Sequence, residues 1–187
     1  MSAVGAGSAG TYLYVISSKT VQGELKEMKL ISSLNLTSEE MKSQWQEAFM
    51  DNKDAIKTVV KEITDDNNGG ERLKNWCLSS LHKSPEKSLV DNVRKWCTVY
   101  TIEEKANRNK KVFLNNDSPI SEWESVWTKN ADSSKRIKIG LPGNKEENKK
   151  SQDIEFMKEW CARTRKMEFL VKEKTSIYEV ALEWCSK

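Results

Sequence analysis

Apolar residues recur at helical spacing along most of this 187-residue chain. Between Thr20 and Leu34 they fall at Val21, Leu25, Met28 and Ile31, which predicts a helix interrupted once by Gly23. Thr37 and Glu40 have capping-box spacing, so a second helix opens there with Met41, Trp45, Ala48 and Phe49 on one face. The face resumes at Ile56, Val59, Val60 and Ile63, and Asn67-Asn68-Gly69-Gly70 reads as its stop. A helix over about 71–82 follows, with Leu73, Trp76, Cys77 and Leu81 inward. Ser84 and Pro85 supply a cap and a first helical residue for the next, whose stripe is Leu89, Val93, Trp96 and Cys97. Residues 102–111 read as helical, with Val112-Phe113-Leu114 as a packed end. Ser118-Pro119 opens a helix carrying Ile120, Trp123 and Trp127. Residues 132–150 read as a loop containing Gly140, Pro142 and Gly143, with Arg136-Ile137-Lys138-Ile139 as a candidate short strand. Two helices close the pattern. One runs over about 151–165 with Ile154, Met157, Trp160 and Cys161; the other starts near Thr175 with Ile177, Val180, Ala181, Trp184 and Cys185.

A tryptophan precedes every cysteine, at Trp76-Cys77, Trp96-Cys97, Trp160-Cys161 and Trp184-Cys185. The two halves can be laid over one another on these pairs. Trp45-x-x-x-Phe49 matches Trp123-x-x-x-Trp127, Leu73-x-x-Trp76-Cys77 matches Met157-x-x-Trp160-Cys161, and Val93-x-x-Trp96-Cys97 matches Ala181-x-x-Trp184-Cys185. The expected fold is therefore an all-α helical bundle built from two duplicated three-helix units behind an apolar N-terminal leader. The divisions are a leader over 1–19, a first unit over 20–100, a connector over 101–117 and a second unit over 118–187 containing a 130–150 loop. The matched residues Trp45, Phe49, Trp76, Cys77, Trp96, Cys97, Trp123, Trp127, Trp160, Cys161, Trp184 and Cys185 form the expected structural core.

Adjacent helical residues point about 100° apart, so one of each Trp-Cys pair faces the core centre and the other flanks it. The leading reading is a buried aromatic beside a buried free thiol acting as a small hydrophobe. On that reading Trp76→Ala or Trp160→Ala costs about 3–5 kcal/mol. The other reading is a disulfide within each unit, Cys77–Cys97 and Cys161–Cys185, although four cysteines allow three pairings. No two cysteines have the close spacing of zinc ligands, so no metal is expected.

Lysine and arginine number 31 against 28 acidic residues, giving a net charge of +3. The signs alternate along the chain, which predicts no specific nucleic-acid partner. The basic runs 105–111 and 129–150 are diluted by Asn, Ser or Glu and read as solvated surface. The first 18 residues carry no charged side chain, and Tyr12-Leu13-Tyr14-Val15-Ile16 is apolar. This stretch is a candidate membrane segment of marginal length. Gly5-x-Gly7-x-x-Gly10 fits the dinucleotide fingerprint formally, but no strand precedes it. His82 is the single histidine, and no nucleophile or phosphate-loop motif accompanies it. No catalytic, cofactor-binding or metal residue is assigned, and no cofactor is expected.

The segments Leu-Lys-Asn-Trp-Cys, Val-Arg-Lys-Trp-Cys-Thr, Met-Lys-Glu-Trp-Cys and Leu-Glu-Trp-Cys resemble the uncharacterised paralogous Trp-Cys-repeat proteins of haemotropic mycoplasmas. The resemblance covers Ala3 to Ile16 and the body from about Thr37 onward. It implies no activity. It implies a surface, antigen-like or host-interaction role, with a host protein or cell surface as partner. The expected function is thus a non-enzymatic, membrane-tethered host-interaction protein. The alternatives are a small intracellular helical interaction module and an enzyme of an unrecognised class. Lys19, Lys26 and Lys29 follow the leader with nothing basic before it, and the positive-inside bias then favours a cytoplasmic body.

Overall fold

The computed structural model describes residues 20–186, so the expected leader over 1–19 lies outside the described residues. The described residues form ten α-helices and no strand, an all-α fold. Two compact units divide between Val99 and Tyr100. The expected connector belongs to the second unit. Tyr100 O accepts from Phe169 N and Met167 O from Ile102 N, both at 2.8 Å, and Thr101 forms an antiparallel bridge with Glu168.

The first unit holds α1 (Val21–Glu24), α2 (Ser38–Met50), α3 (Lys53–Val59), α4 (Gly69–Ser80) and α5 (Lys87–Cys97). The helix expected over 20–34 is only α1 plus a 3-10 turn at Ile31–Ser33. Val21, Leu25 and Ile31 are buried, yet Met28 is exposed. Val21 N and Gln22 N donate to Lys83 O and Leu81 O, which ties the segment to a loop instead of continuing a helix. At α2 the capping box forms as expected, with Thr37 Oγ1 accepting from Glu40 N and Glu40 Oε2 from Thr37 N. The apolar face does not continue as one helix beyond it, because α3 ends at an exposed Val59 and buries only Ile56.

Gly69-Gly70 opens α4; it does not stop a helix. The reason is close approach. A Cβ on Gly69 would lie 2.2 Å from the Phe49 ring, and one on Gly70 would lie 2.6 Å from Gln46 N. The missing side chains let α4 press against α2, and Gly70 N donates to Gln46 Oε1 at 2.9 Å. The N-cap of α5 is Glu86, not Ser84, and Pro85 lies before the helix.

The second unit holds α6 (Ile102–Arg108), α7 (Ile120–Lys129), α8 (Ser133–Ile139), α9 (Lys150–Thr164) and α10 (Glu179–Cys185). Thr101 and Glu104 form a second capping box at α6. The loop and short strand expected over 130–150 are wrong, since α8 lies there. Asp132 accepts from Ser134 N at 2.8 Å, and Gly140 at φ +93° closes the helix in the left-handed conformation that glycine adopts without cost. The alternation of Ile137 and Ile139 suggested a strand. The helix instead buries Arg136 and Ile139, three apart, and exposes Ile137. A 3-10 turn at Glu147–Lys149 runs directly into α9, as one at Asp66–Asn68 runs into α4.

Candidate functional site

Each unit is closed by a disulfide, which overturns the free-thiol reading. Cys77 on α4 joins Cys97, the last residue of α5, with Cα atoms 5.8 Å apart. Cys161 on α9 joins Cys185, the last residue of α10, at 5.7 Å. These separations lie within the span of a disulfide, and all four cysteines are at most 2% exposed. The spacing reading missed this because a buried thiol and a buried half-cystine present the same apolar pattern; only the pairing of two helices distinguishes them.

The residue after each closing cysteine repeats one arrangement. Thr98 Oγ1 donates to Arg94 O, and Ser186 Oγ donates to Leu182 O. Thr98 pairs antiparallel with Leu30, and Ser186 with Phe113. Val99 N donates to Lys29 O at 2.8 Å, while Leu114 N donates to Cys185 O at 2.7 Å. In both units the disulfide fastens the end of the last helix to the α-helix before it, and the residue beyond it bridges to an early segment of the same unit.

Trp45, Phe49, Trp96, Trp123, Trp127 and Trp184 are buried where the pattern placed them. Trp76 and Trp160 are half-buried instead. On α4 and α9 the cysteine points inward, and the 100° offset leaves its tryptophan on the flank. The Trp76 ring tilts against Trp96 with centroids 5.5 Å apart. The 3–5 kcal/mol expected for Trp76→Ala and Trp160→Ala therefore applies to fully buried partners such as Trp96 and Trp184 and not to these two. The indole N–H groups of Trp45, Trp96, Trp123 and Trp184 have no hydrogen-bond partner among the described residues.

Trp127 differs. Its Nε1 donates to Asp153 Oδ2 at 2.9 Å, and Arg136 Nη2 donates to the same oxygen at 2.7 Å. Arg136 Nε also donates to Pro142 O at 2.7 Å. Both ionic side chains are almost fully enclosed, at 1% and 7% exposed. A buried pair of this kind needs its remaining groups bonded to offset lost hydration; the Trp127 and Pro142 bonds supply two such contacts, while Arg136 Nη1 has no hydrogen-bond partner among the described residues. Arg136 had been read as a strand residue in a solvated run. Lys105, in the other run expected to be solvated, is also buried, with its ammonium 4.9 Å from the Phe169 ring centroid. Sequence offered one clue to the cluster: Asp132 and Gly140 delimit a seven-residue helix whose inward face must include Arg136.

Compared with protein families, characterised proteins and solved structures, the chain matches none.

The surface of the described residues carries ion pairs and a groove. Lys57 and Lys53 flank Asp66 and hold its carboxyl below the usual carboxylate range, chiefly through the Lys57 hydrogen bond. Glu183 raises the Lys135 ammonium, and the Ser134 hydroxyl lowers the Asp132 carboxyl. A groove of about 350 Å³ in the first unit is lined by Val59, Lys83, Ser84, Glu86, Ser88, Leu89 and Asn92. Among the described residues there is no cluster of three metal-ligating side chains, and no helix is long and apolar enough to cross a membrane. His82 stands exposed beside the groove residue Lys83.

Proposed function

We propose that this chain is a non-enzymatic binding protein displayed outside the cell, tethered through residues 1–18, with a body made of two copies of one disulfide-closed helical module. The observation that carries the reading is the pair of buried disulfides, because such bonds persist in oxidising surroundings and are rare where thiols are kept reduced. The resemblance to haemotropic mycoplasma paralogues implies the same setting, with a host protein or cell surface as partner.

The duplication rests on element order. The first copy is α2, α3, a 3-10 turn fused to α4, then α5; the second is α7, α8, a 3-10 turn fused to α9, then α10. Both short helices have seven residues. Each copy ends in a cysteine, a back-bonded hydroxyl residue and a bridge to an early apolar residue. The module has four helices, one more than the Trp-Cys spacing suggested, because α3 and α8 carry no tryptophan to mark them.

Protease shaving of intact cells, read with an antibody to the body, tests the placement. Loss of the body before lysis is the expected result. A second reading, an intracellular interaction module, draws on Lys19, Lys26 and Lys29 behind the leader. Protection until lysis together with four titratable thiols in the native protein would favour it.

A further inference from the structure

We infer that the loop between α4 and α5, with the adjoining groove, is the face that lies against the membrane, and that its lysines meet anionic lipid headgroups. The inference rests on the tether reading. Val21 N donates to Lys83 O and Gln22 N to Leu81 O, each at 3.0 Å, so the start of the body is fastened to this loop. Ile16, the last residue of the apolar stretch, is four positions before Thr20. Four residues span at most about 14 Å when fully extended. The headgroup layer is about 5–7 Å deep on each side of a bilayer. A chain that leaves the hydrocarbon near Ile16 thus holds the 81–84 backbone within roughly 10 Å of the headgroups, about a Debye length. The hydrogen bonds to Lys83 and Leu81 prevent that loop from turning away unless the strap detaches.

The exposed groups there suit an anionic surface. His82, Lys83 and Lys87 are exposed, and neither lysine has an ion-pair partner among the described residues. Glu86 is the one carboxylate within the loop. The other acidic residues of the entry segment, Glu24 and Glu27, are matched in number by Lys26 and Lys29. The groove adds the exposed Val59 and half-buried Leu89 beside Ser84, Ser88 and Asn92, a mixture that suits the polar-apolar boundary of a bilayer. Each lysine held within a Debye length of such a surface strengthens binding about fivefold.

The test is full-chain protein synthesised in the presence of vesicles, either of phosphatidylcholine alone or of phosphatidylcholine with phosphatidylglycerol, followed by flotation. The expected result is capture by both, stronger on the anionic vesicles, with Lys83→Glu/Lys87→Glu losing the anionic gain by tenfold or more. Lys110→Glu/Lys111→Glu, an equal charge change in the other unit, is expected to keep it. Equal capture by both vesicles, or the same loss from both double variants, would overturn the inference while leaving the tether in place. Failure of the unaltered chain to bind either vesicle would remove the tether reading and this inference with it.

Discussion

On the duplication proposed above, Phe49, Ile56 and Gly69 in the first unit correspond in position to Trp127, Arg136 and Asp153 in the second. Phe49 and Trp127 lie four residues after the matched tryptophans Trp45 and Trp123. Ile56 and Arg136 are each the fourth residue of a seven-residue helix. Gly69 and Asp153 each precede the disulfide cysteine of their helix by eight. One set is apolar and so tight that position 69 has no room for a Cβ against Phe49. The other is ionic, and Asp153 accepts from both Trp127 and Arg136. In the second unit the three residues form one bonded cluster, and in the first Phe49 lies directly against Gly69. An indole N–H in place of a phenyl edge can donate to an acceptor, a buried acceptor carboxylate needs a counter-charge, and a glycine provides neither acceptor nor counter-charge. On the proposed duplication, a helical module tolerates replacement of an apolar contact by an ionic one when the partners change together.

The comparison breaks most sharply at Arg136. Arg136→Met leaves Asp153 buried without its counter-charge and is expected to cost about 3–5 kcal/mol in thermal or urea melts. Trp127→Phe/Arg136→Ile/Asp153→Gly, which installs the first unit's set, is expected to recover most of that loss, since apolar replacements of buried ion pairs are often neutral. A triple variant no more stable than Arg136→Met would mean that the two sets do not occupy equivalent places.

Removing either disulfide, as Cys77→Ala/Cys97→Ala or Cys161→Ala/Cys185→Ala, is expected to cost about 3 kcal/mol by the loop-entropy account, because the closed loops are similar in length at 20 and 24 residues. Nearly equal losses would support equal roles in the two units; a loss confined to one would separate them.

The tryptophans sharpen the pattern within each unit. Trp96→Ala is expected to cost about 3–5 kcal/mol and Trp76→Ala roughly half as much, because Trp76 is only half-buried. The same ratio is expected for Trp184 and Trp160. Equal losses at both members of a pair would show that the flanking tryptophan contributes as core.

Gly69→Ala is expected to destabilise by about 1–3 kcal/mol, since the added methyl must displace the Phe49 ring. Phe49→Leu in the same background makes room and is expected to lessen the effect of the alanine. A neutral Gly69→Ala would show that the ring moves freely.

The smallest effect is electrostatic. Lys57 and Lys53 lower the Asp66 carboxyl in the folded state. A lowered folded pKa contributes stability above the unfolded carboxylate value, and that contribution fades as pH falls through the folded one. Asp66→Asn is therefore expected to lower the melting temperature slightly near neutral pH and to lose that difference in acid. A difference that grows on acidification would contradict the sign.

The periodic pattern located α2, α4, α5, α6, α7, α9 and α10 to within a few residues; most of these bury faces that repeat every three or four positions over ten or more residues, and α10 continues a π-helical turn at Lys174–Tyr178. It failed at α1, α3 and α8. These three helices of four or seven residues contain few turns to establish a period, and tertiary contacts set their limits. Gly69-Gly70 was read as a stop because glycine commonly ends helices, whereas here the need is for interhelical space. The same limit hid the cluster at Arg136 and Asp153. These residues lie 17 apart, and each taken alone reads as a surface charge.

The sequence by itself determined that the chain is helical and where most of its buried tryptophans and cysteines fall along the helices. Those are properties of spacing along a single helix. Tertiary structure decided which cysteines join, which tryptophans remain partly at the surface, and that the Arg136–Asp153 ion pair and Lys105 lie in the interior of the second unit. Each of these depends on what the next helix presents at the point of contact, and spacing along one helix carries no record of its neighbour.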